Sequence, residues 1–284
     1  MTVAGRSDPR AAGADSVLAL TAANLAAWIA ALVARPRHDL PAPRDGRRAR
    51  IAIACAAGIA AVGAAMWLLD PWAAAHYRGV PPWLVIVFGE ITNFGKSDWF
   101  LYPSGIMVVA LAAVASPSLG RMAHGVLVSL AVRCCFVFTA VGIPSLFVTI
   151  VKRMIGRHRP VLTGHAELYF VPFSWRVEFA SMPSGHSTTA FAAAVALGAL
   201  FPRARTVLWI YAALIAVSRV VLMAHYPSDV IAGALVGGCG ALIVRRWFAA
   251  RRVGFAIRPD GSVATMPGPS LQRIRRVARR LAGQ

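Results

Sequence analysis

The chain has 284 residues, of which 58% are hydrophobic and only 14% charged, with a formal net charge of +19. A soluble domain is closer to half apolar and a quarter charged, so a mean hydropathy of +0.62 excludes the ordinary soluble classes and points to an integral membrane protein. The positive balance alone would suit a nucleic-acid binder, but long apolar runs assign it instead to the cytoplasmic ends of spans, and no nucleic-acid partner is expected.

The first sixteen residues are polar and mixed in charge, and no cleavable signal peptide is expected there. Residues 17–34, "VLALTAANLAAWIAALVA", allow two readings: a further span, or an amphipathic helix lying in the interface. Thr21, Asn24 and the alanine content weigh toward the interfacial helix. A hydrocarbon core about 30 Å thick needs about 20 helical residues. Six segments meet or approach that length: 51–69, 99–116, 125–151, 186–201, 206–224 and 229–248. The third carries Pro144 and one internal arginine, Arg133; the fourth is short enough to begin below the membrane surface. The expected fold is an all-α polytopic membrane helix bundle with six core transmembrane helices. The expected organisation is an N-terminal region 1–50, a six-span domain 51–248 and a basic tail 249–284. That tail combines arginine with Gly and Pro, so it either lies on anionic lipid or is disordered. Cys55, Cys134, Cys135 and Cys239 all fall in apolar runs without metal-ligand spacing, so free buried thiols are expected.

Six spans put both termini on one side, and the basic residues decide which. On the terminal side, residues 1–50 carry eight Lys/Arg, the 117–124 loop one, the 202–205 turn two, and the tail from Arg245 ten. The other side carries eight: Arg78, Lys96, Lys152, Arg153, Arg157, Arg159, Arg176 and Arg219. The asymmetry places the termini in the cytoplasm and the long 152–185 loop outside.

Three polar clusters sit at the outer span ends. The first is "KRMIGRHRP", residues 152–160. On a helix, Lys152 and Arg159 would share a face about two turns apart, and Pro160 would end that helix. Snorkelling basic residues would explain such a run on the cytoplasmic side. On the outer side, where positive charge is depleted, an anionic ligand explains it better. The second is "SMPSGHS", residues 181–187, at the mouth of an apolar run. A helix N-terminus with exposed amides at Ser184 and Gly185 suits a phosphate. Plain serine capping explains Pro183 and Ser184 equally well but leaves His186 unexplained. The third is "SRVVLMAHYPSD", residues 218–229. If the chain turns helical at Pro227, the Asp229 carboxylate can reach a ring nitrogen of His225 and raise the nucleophilicity of the other. A structural His–Asp contact at a tight turn is the alternative. Taken together, the clusters gather cations, backbone amides, two imidazoles and one carboxylate. That set fits phosphoryl transfer through a phosphohistidine. No carboxylate cluster suits magnesium, with Glu167 and Glu178 scattered in the loop, so neither metal nor cofactor is expected.

These stretches resemble the type 2 phosphatidic acid phosphatase superfamily, which also contains the vanadium haloperoxidases. The pattern K-x6-RP, PSGH and SR-x5-H-x3-D is met in order by Lys152 through Arg159–Pro160, Pro183–His186, and Ser218–Arg219 through His225 to Asp229. The resemblance implies that His225 is the nucleophile, Asp229 its orienting partner and His186 the general acid. Lys152, Arg159, Ser184, Gly185 and Arg219 would bind phosphate. Arg153, Arg157 and His158 fall at spacer positions and receive no role; His158 is read as a solvent-side spacer. A weaker likeness at 91–103, "ITNFGKSDWFLYP", would let Lys96 touch a lipid headgroup. An interfacial aromatic belt with Trp99 and Tyr102 is the plainer account.

The expected activity is therefore a metal-independent lipid phosphate phosphatase in the cell (inner) membrane with an extracytoplasmic active site. It would act on phosphatidic acid, phosphatidylglycerol phosphate, undecaprenyl pyrophosphate or lipid A 1-phosphate, and its partners would be that lipid phosphate and membrane lipids. Two rivals are a lipid phosphotransferase on the same scaffold and a non-enzymatic transporter of anionic lipids.

Overall fold

The computed structural model describes residues 9–36, 46–163 and 168–283; Glu167 and parts of the 1–50 region fall outside them. The elements in chain order are α1 (Pro9–Val33), α2 (Arg47–His76), α3 (Pro82–Asn93), α4 (Asp98–Val114), α5 (Arg121–Ile155), α6 (Pro160–Thr163), α7 (Gly185–Leu200), α8 (Arg205–Val221), α9 (Pro227–Ala250), β1 (Phe255–Ile257), β2 (Val263–Thr265) and α10 (Leu271–Ala282). Among the described residues, six helical segments are long and apolar enough to cross a membrane: Ser16–Val33, Ala49–His76, Pro82–Val114, Arg121–Ile155, Pro202–Val221 and Pro227–Ala250.

This set differs from the sequence expectation in three ways. Ser16–Val33, expected to lie in the interface, is long and apolar enough to span. Helix α7 has 16 residues, about 24 Å at 1.5 Å per residue, which is shorter than the hydrocarbon core. Its burial explains how so short a helix belongs: Ser187 to Ala190, Ala192 to Ala194, Ala196, Gly198 and Ala199 are all buried, so protein surrounds it. Helix α3 was unassigned. Pro82 at its start presets the helical φ, while Glu90 and Asn93 interrupt its apolar run.

The chain divides into two compact units. One comprises residues 41–102 and 137–246. In it, Ala190 and Ala194 of α7 pack on Ala212 and Ile215 of α8, and Ile91 of α3 joins them. Helix α9 approaches α7 more closely still. A side chain at Gly233 would strike the Ser184 carbonyl, and one at Gly237 the Thr188 carbonyl. Ser145 of α5 meets Thr189 of α7 at 3.3 Å, so α7 is flanked by α5, α8 and α9.

The other unit comprises residues 1–40, 103–136 and 247–284. Its core is Leu111, Ala115, Ala123, Val126, Leu127, Ala131 and Val277, with Trp28, Ile274 and Leu281 against it. The Asn24 amide donates to the carbonyls of Ala112 (2.8 Å) and Ala115 (3.1 Å), so its polarity is satisfied by the protein. Residues 253–283 are not disordered as the sequence allowed. They form the antiparallel β1–β2 hairpin and α10. Helix α10 buries Val277 and leaves Arg273, Arg275, Arg276, Arg279 and Arg280 exposed. The cysteines are free, but Cys55 and Cys239 lie exposed rather than buried.

Candidate active site

The site is built on one unit, from the C-terminal ends of α5 and α8 and the N-terminal ends of α7 and α9. Helix α5 delivers Lys152 and then stops. Gly156 adopts φ 66°, a left-handed conformation that suits glycine, and any side chain there would strike the Val171 carbonyl. Residues 157–159 consequently leave the helix and pair with the following loop. The His158 amide donates to Tyr169 O at 3.1 Å and the Arg159 amide to Glu178 O at 2.9 Å. Lys152 and Arg159 therefore do not share a helix face as the seven-residue spacing implied. A turn brings Arg159 back within electrostatic reach of Lys152.

Arg157 turns inward and is 1% exposed. Its Nη2 pairs with Asp70 Oδ2 of α2 at 2.7 Å, and its Nη1 with Asp229 Oδ1 of α9 at 2.6 Å. It also stacks its guanidinium over the Tyr226 ring at 4.3 Å. The spacer reading of Arg157 is thus corrected. His158 is corrected too: it is half-buried, its ring packed edge-on to Tyr169 and Phe179. Arg159 faces the site. Among the described residues no carboxylate is in ion-pair contact with it, and its Nε has no hydrogen-bond partner.

Helix α7 opens at Gly185 with Ser184 as N-cap, and the Ser184 side chain makes no cap bond to the first turn. Plain serine capping therefore does not account for this N-terminus. The Ser184 amide donates to the Asp229 carbonyl at 2.9 Å, which ties the start of α7 to α9.

Helix α8 carries Arg219 in its last turn, and the Arg219 carbonyl accepts from the amides of Ala224 and His225 at 3.1 and 3.2 Å. The Arg219 side chain is largely buried and donates to Thr92 Oγ1 of α3 at 2.7 Å. Helix α9 starts at Pro227, which puts Asp229 in its first turn. Asp229 Oδ2 accepts from the Tyr226 amide at 3.0 Å and from Ser181 Oγ at 2.5 Å. The first of these bonds is the reach-back of a capping box. His225 Nδ1 lies 3.8 Å from Asp229 Oδ2. That is beyond hydrogen-bond length but within ion-pair range, and such contacts tighten when substrate binds.

The electrostatics of the cluster follow from this proximity. Burial holds His225 below its ordinary pKa; Asp229 opposes this, and Arg219 and Arg159 add to it. Burial also lowers Arg159, with Arg153 adding to it and Asp229 opposing. Burial acts on Arg157 in the same sense, but Asp229 and Asp70 outweigh it and hold the guanidinium above its usual value. His186 sits within electrostatic reach of Arg219, His225, Lys96 and Arg159. Lys96, read as a marginal headgroup contact, thus joins the cluster. A side chain at neighbouring Gly95 would come within 3.0 Å of the His186 ring. Among the described residues no three His, Cys, Asp or Glu side chains are grouped to hold a metal.

The structure brings together His186, His225, Asp229, Arg159 and Arg219, with Lys152 beside Arg159 and the Ser184–Gly185 turn joined to α9. It adds Arg157, Asp70, Ser181 and Thr92, none of which was expected to take part. The pattern defines a polytopic helical membrane protein with a cation-lined, two-histidine site. Residues 133–252 match the PAP2 superfamily model. The chain is 36% identical over 207 residues to the lipid A 1-phosphatase of Rhizobium etli, covering 72% of this chain and 87% of that one. It is 37% identical over 177 residues to the lipid A 1-phosphatase of Rhizobium johnstonii, covering 61% and 72%. The chain belongs to the PAP2 superfamily. Among solved structures, Aquifex aeolicus LpxE aligns at 21% identity over 63% of this chain and 95% of its own, with a TM-score of 0.43. A Bacillus subtilis PAP2-type phosphatidylglycerolphosphate phosphatase aligns at 21% over 80% and 95%, with a TM-score of 0.39.

Proposed function

We propose that this chain, a membrane lipid phosphatase of the PAP2 superfamily, removes the 1-phosphate of lipid A through a phosphohistidine at His225. The observation that carries the substrate is its 36% identity to the Rhizobium etli lipid A 1-phosphatase across 87% of that protein. The geometry supports the chemistry. His225 is buried and held neutral, so its Nε2 lone pair is available while Nδ1 faces Asp229. Nε2 attacks phosphorus, and the bond to the lipid oxygen breaks in line. Arg159, Arg219 and Lys152, with the α7 N-terminus from Gly185 onward, hold the phosphoryl oxygens as charge builds; the Ser184 amide, expected among these donors, is already given to the Asp229 carbonyl. His186 takes up its proton together with the anionic substrate, whose charge offsets the cations around it. It gives that proton to the departing oxygen and later withdraws one from the attacking water. Water cleaves the P–N bond, releasing phosphate and restoring neutral His225.

The basic residues concentrated near the termini and in the 202–205 turn support a site on the extracytoplasmic face of the inner membrane. The decisive measurement is phosphate release by purified protein in detergent with EDTA. The panel is lipid A, phosphatidic acid, phosphatidylglycerol phosphate and undecaprenyl pyrophosphate. Free phosphate with lipid A lacking its 1-phosphate in the mass spectrum is the expected result. Phosphate appearing on a second lipid, or turnover confined to another panel member, would overturn the proposal.

A further inference from the structure

Behind His225 lies a buried string of charges. Asp70, Arg157 and Asp229 are 1%, 1% and 0% exposed. Arg157 donates to both carboxylates, and Ser228 closes the ring. The Ser228 amide donates to Asp70 Oδ1 at 3.0 Å, its hydroxyl donates to Asp70 Oδ2 at 2.6 Å, and that hydroxyl accepts from Arg157 Nη1 at 2.6 Å. Asp229 is thereby fixed by three donors, Arg157, Ser181 and the Tyr226 amide, with His225 Nδ1 as its remaining neighbour.

A buried ion pair kept only for structure balances its charges, because uncompensated buried charge is costly. This string does not balance: two carboxylates face one guanidinium, a formal surplus of one negative charge. The surplus is offset when the imidazole beside it becomes positive, which happens as Nε2 attacks phosphorus. An ionisable residue inside an apolar helix, as Asp70 is in α2, is by default functional.

We propose that Asp70 and Arg157 are positioning residues for the phosphoryl transfer. Asp70 shares Arg157 with Asp229, so that Asp229 is held in place without being neutralised. The proposal rests on the phosphohistidine reading of His225. The charged and titratable groups facing His225 are Asp229, Arg219, Arg159 and His186; Asp70 acts on it through Arg157.

The test is Asp70→Asn, which keeps the shape and removes the charge. Arg157 then belongs wholly to Asp229, and the imidazolium loses its support. The expected fall in kcat is about 10- to 100-fold, as for other residues that orient a reacting group from behind, with KM little changed. The acid limb of kcat/KM should also move to lower pH, by roughly one unit for the loss of one nearby charge. Substrate ionisation is common to both enzymes and cancels in the comparison. A folded variant with a lower Tm but an unmoved limb would show that Asp70 is merely structural and overturn the proposal. Ser228→Ala removes hydrogen bonds of the same ring without changing charge and should leave the limb in place; a shift as large as that of Asp70→Asn would also overturn it. If Asp70→Asn does not fold, Asp70→Glu carries the test. With the charge retained, its limb should match the parent while kcat falls, and a displaced limb would sink the idea. His225→Ala separates the two readings: an active His225→Ala refutes the phosphohistidine itself, whereas a dead His225→Ala beside an unchanged Asp70→Asn refutes only this inference.

Discussion

Arg157 and Arg159 stand two residues apart on the same extended stretch and meet opposite fates. Arg157 points into the protein, held by two carboxylates and a serine. Arg159 points into the site, and among the described residues no carboxylate is in ion-pair contact with it. The first is a finished interaction and the second an unfinished one. A half-buried cation without an ion-pair partner is costly on its own, and it makes sense where an anion arrives to complete it. One stretch of chain thus carries both the scaffold and the grip of the site.

The sharpest way to break this picture is at the group both arginines serve. His225→Ala should lose turnover by on the order of 10⁴-fold or more, as when a covalent nucleophile is removed; phosphate release from lipid A checks it. Next, the two arginines should separate by readout. Arg159→Gln should cost about 10²- to 10³-fold in kcat/KM through lost transition-state stabilisation, with thermal unfolding in detergent unchanged or improved. Arg157→Gln leaves two buried carboxylates without their cation and should cost about 3–5 kcal/mol of stability, read as a lowered Tm. Equal effects of the two substitutions on Tm would dissolve the distinction.

A smaller effect is expected at the leaving group. His186→Ala should slow an alkyl phosphate by about 10²- to 10⁴-fold while sparing an activated aryl phosphate. The mildest prediction concerns pH. His225 has a folded-state pKa below its unfolded value of about 6.5. Below that pH the unfolded chain binds a proton that the folded chain resists. Its contribution to stability is therefore complete above about 6.5 and declines as pH falls. A Tm that rises on acidification from pH 7 to 5.5 in the parent but not in His225→Gln would contradict this.

Much of the site was legible because polar residues at fixed spacing stand out in an apolar chain. His186, His225, Asp229, Arg159 and Arg219 each interrupt or border a hydrophobic run, and the structure brings them together. Asp70 was not legible. It closes the apolar run of α2, and the partner that explains it is 87 residues away. Arg157 looked like a spacer because it occupies an unspecified position of the K-x6-RP pattern. Of the fold, the long spans were readable from hydropathy, but α3 was masked by Glu90 and Asn93. Helix α10 was masked by its own arginines, among which Ile274, Val277 and Leu281 form a narrow apolar stripe.

The two imidazoles ride on different supports, His186 on α7 and His225 at the entrance to α9. How far apart they stand is a matter of mechanical clearance, and at Gly233 and Gly237 that clearance is zero. Adding even one methyl group there would act as a wedge between the helices. It would pry donor from nucleophile while leaving every reactive atom in the chain intact.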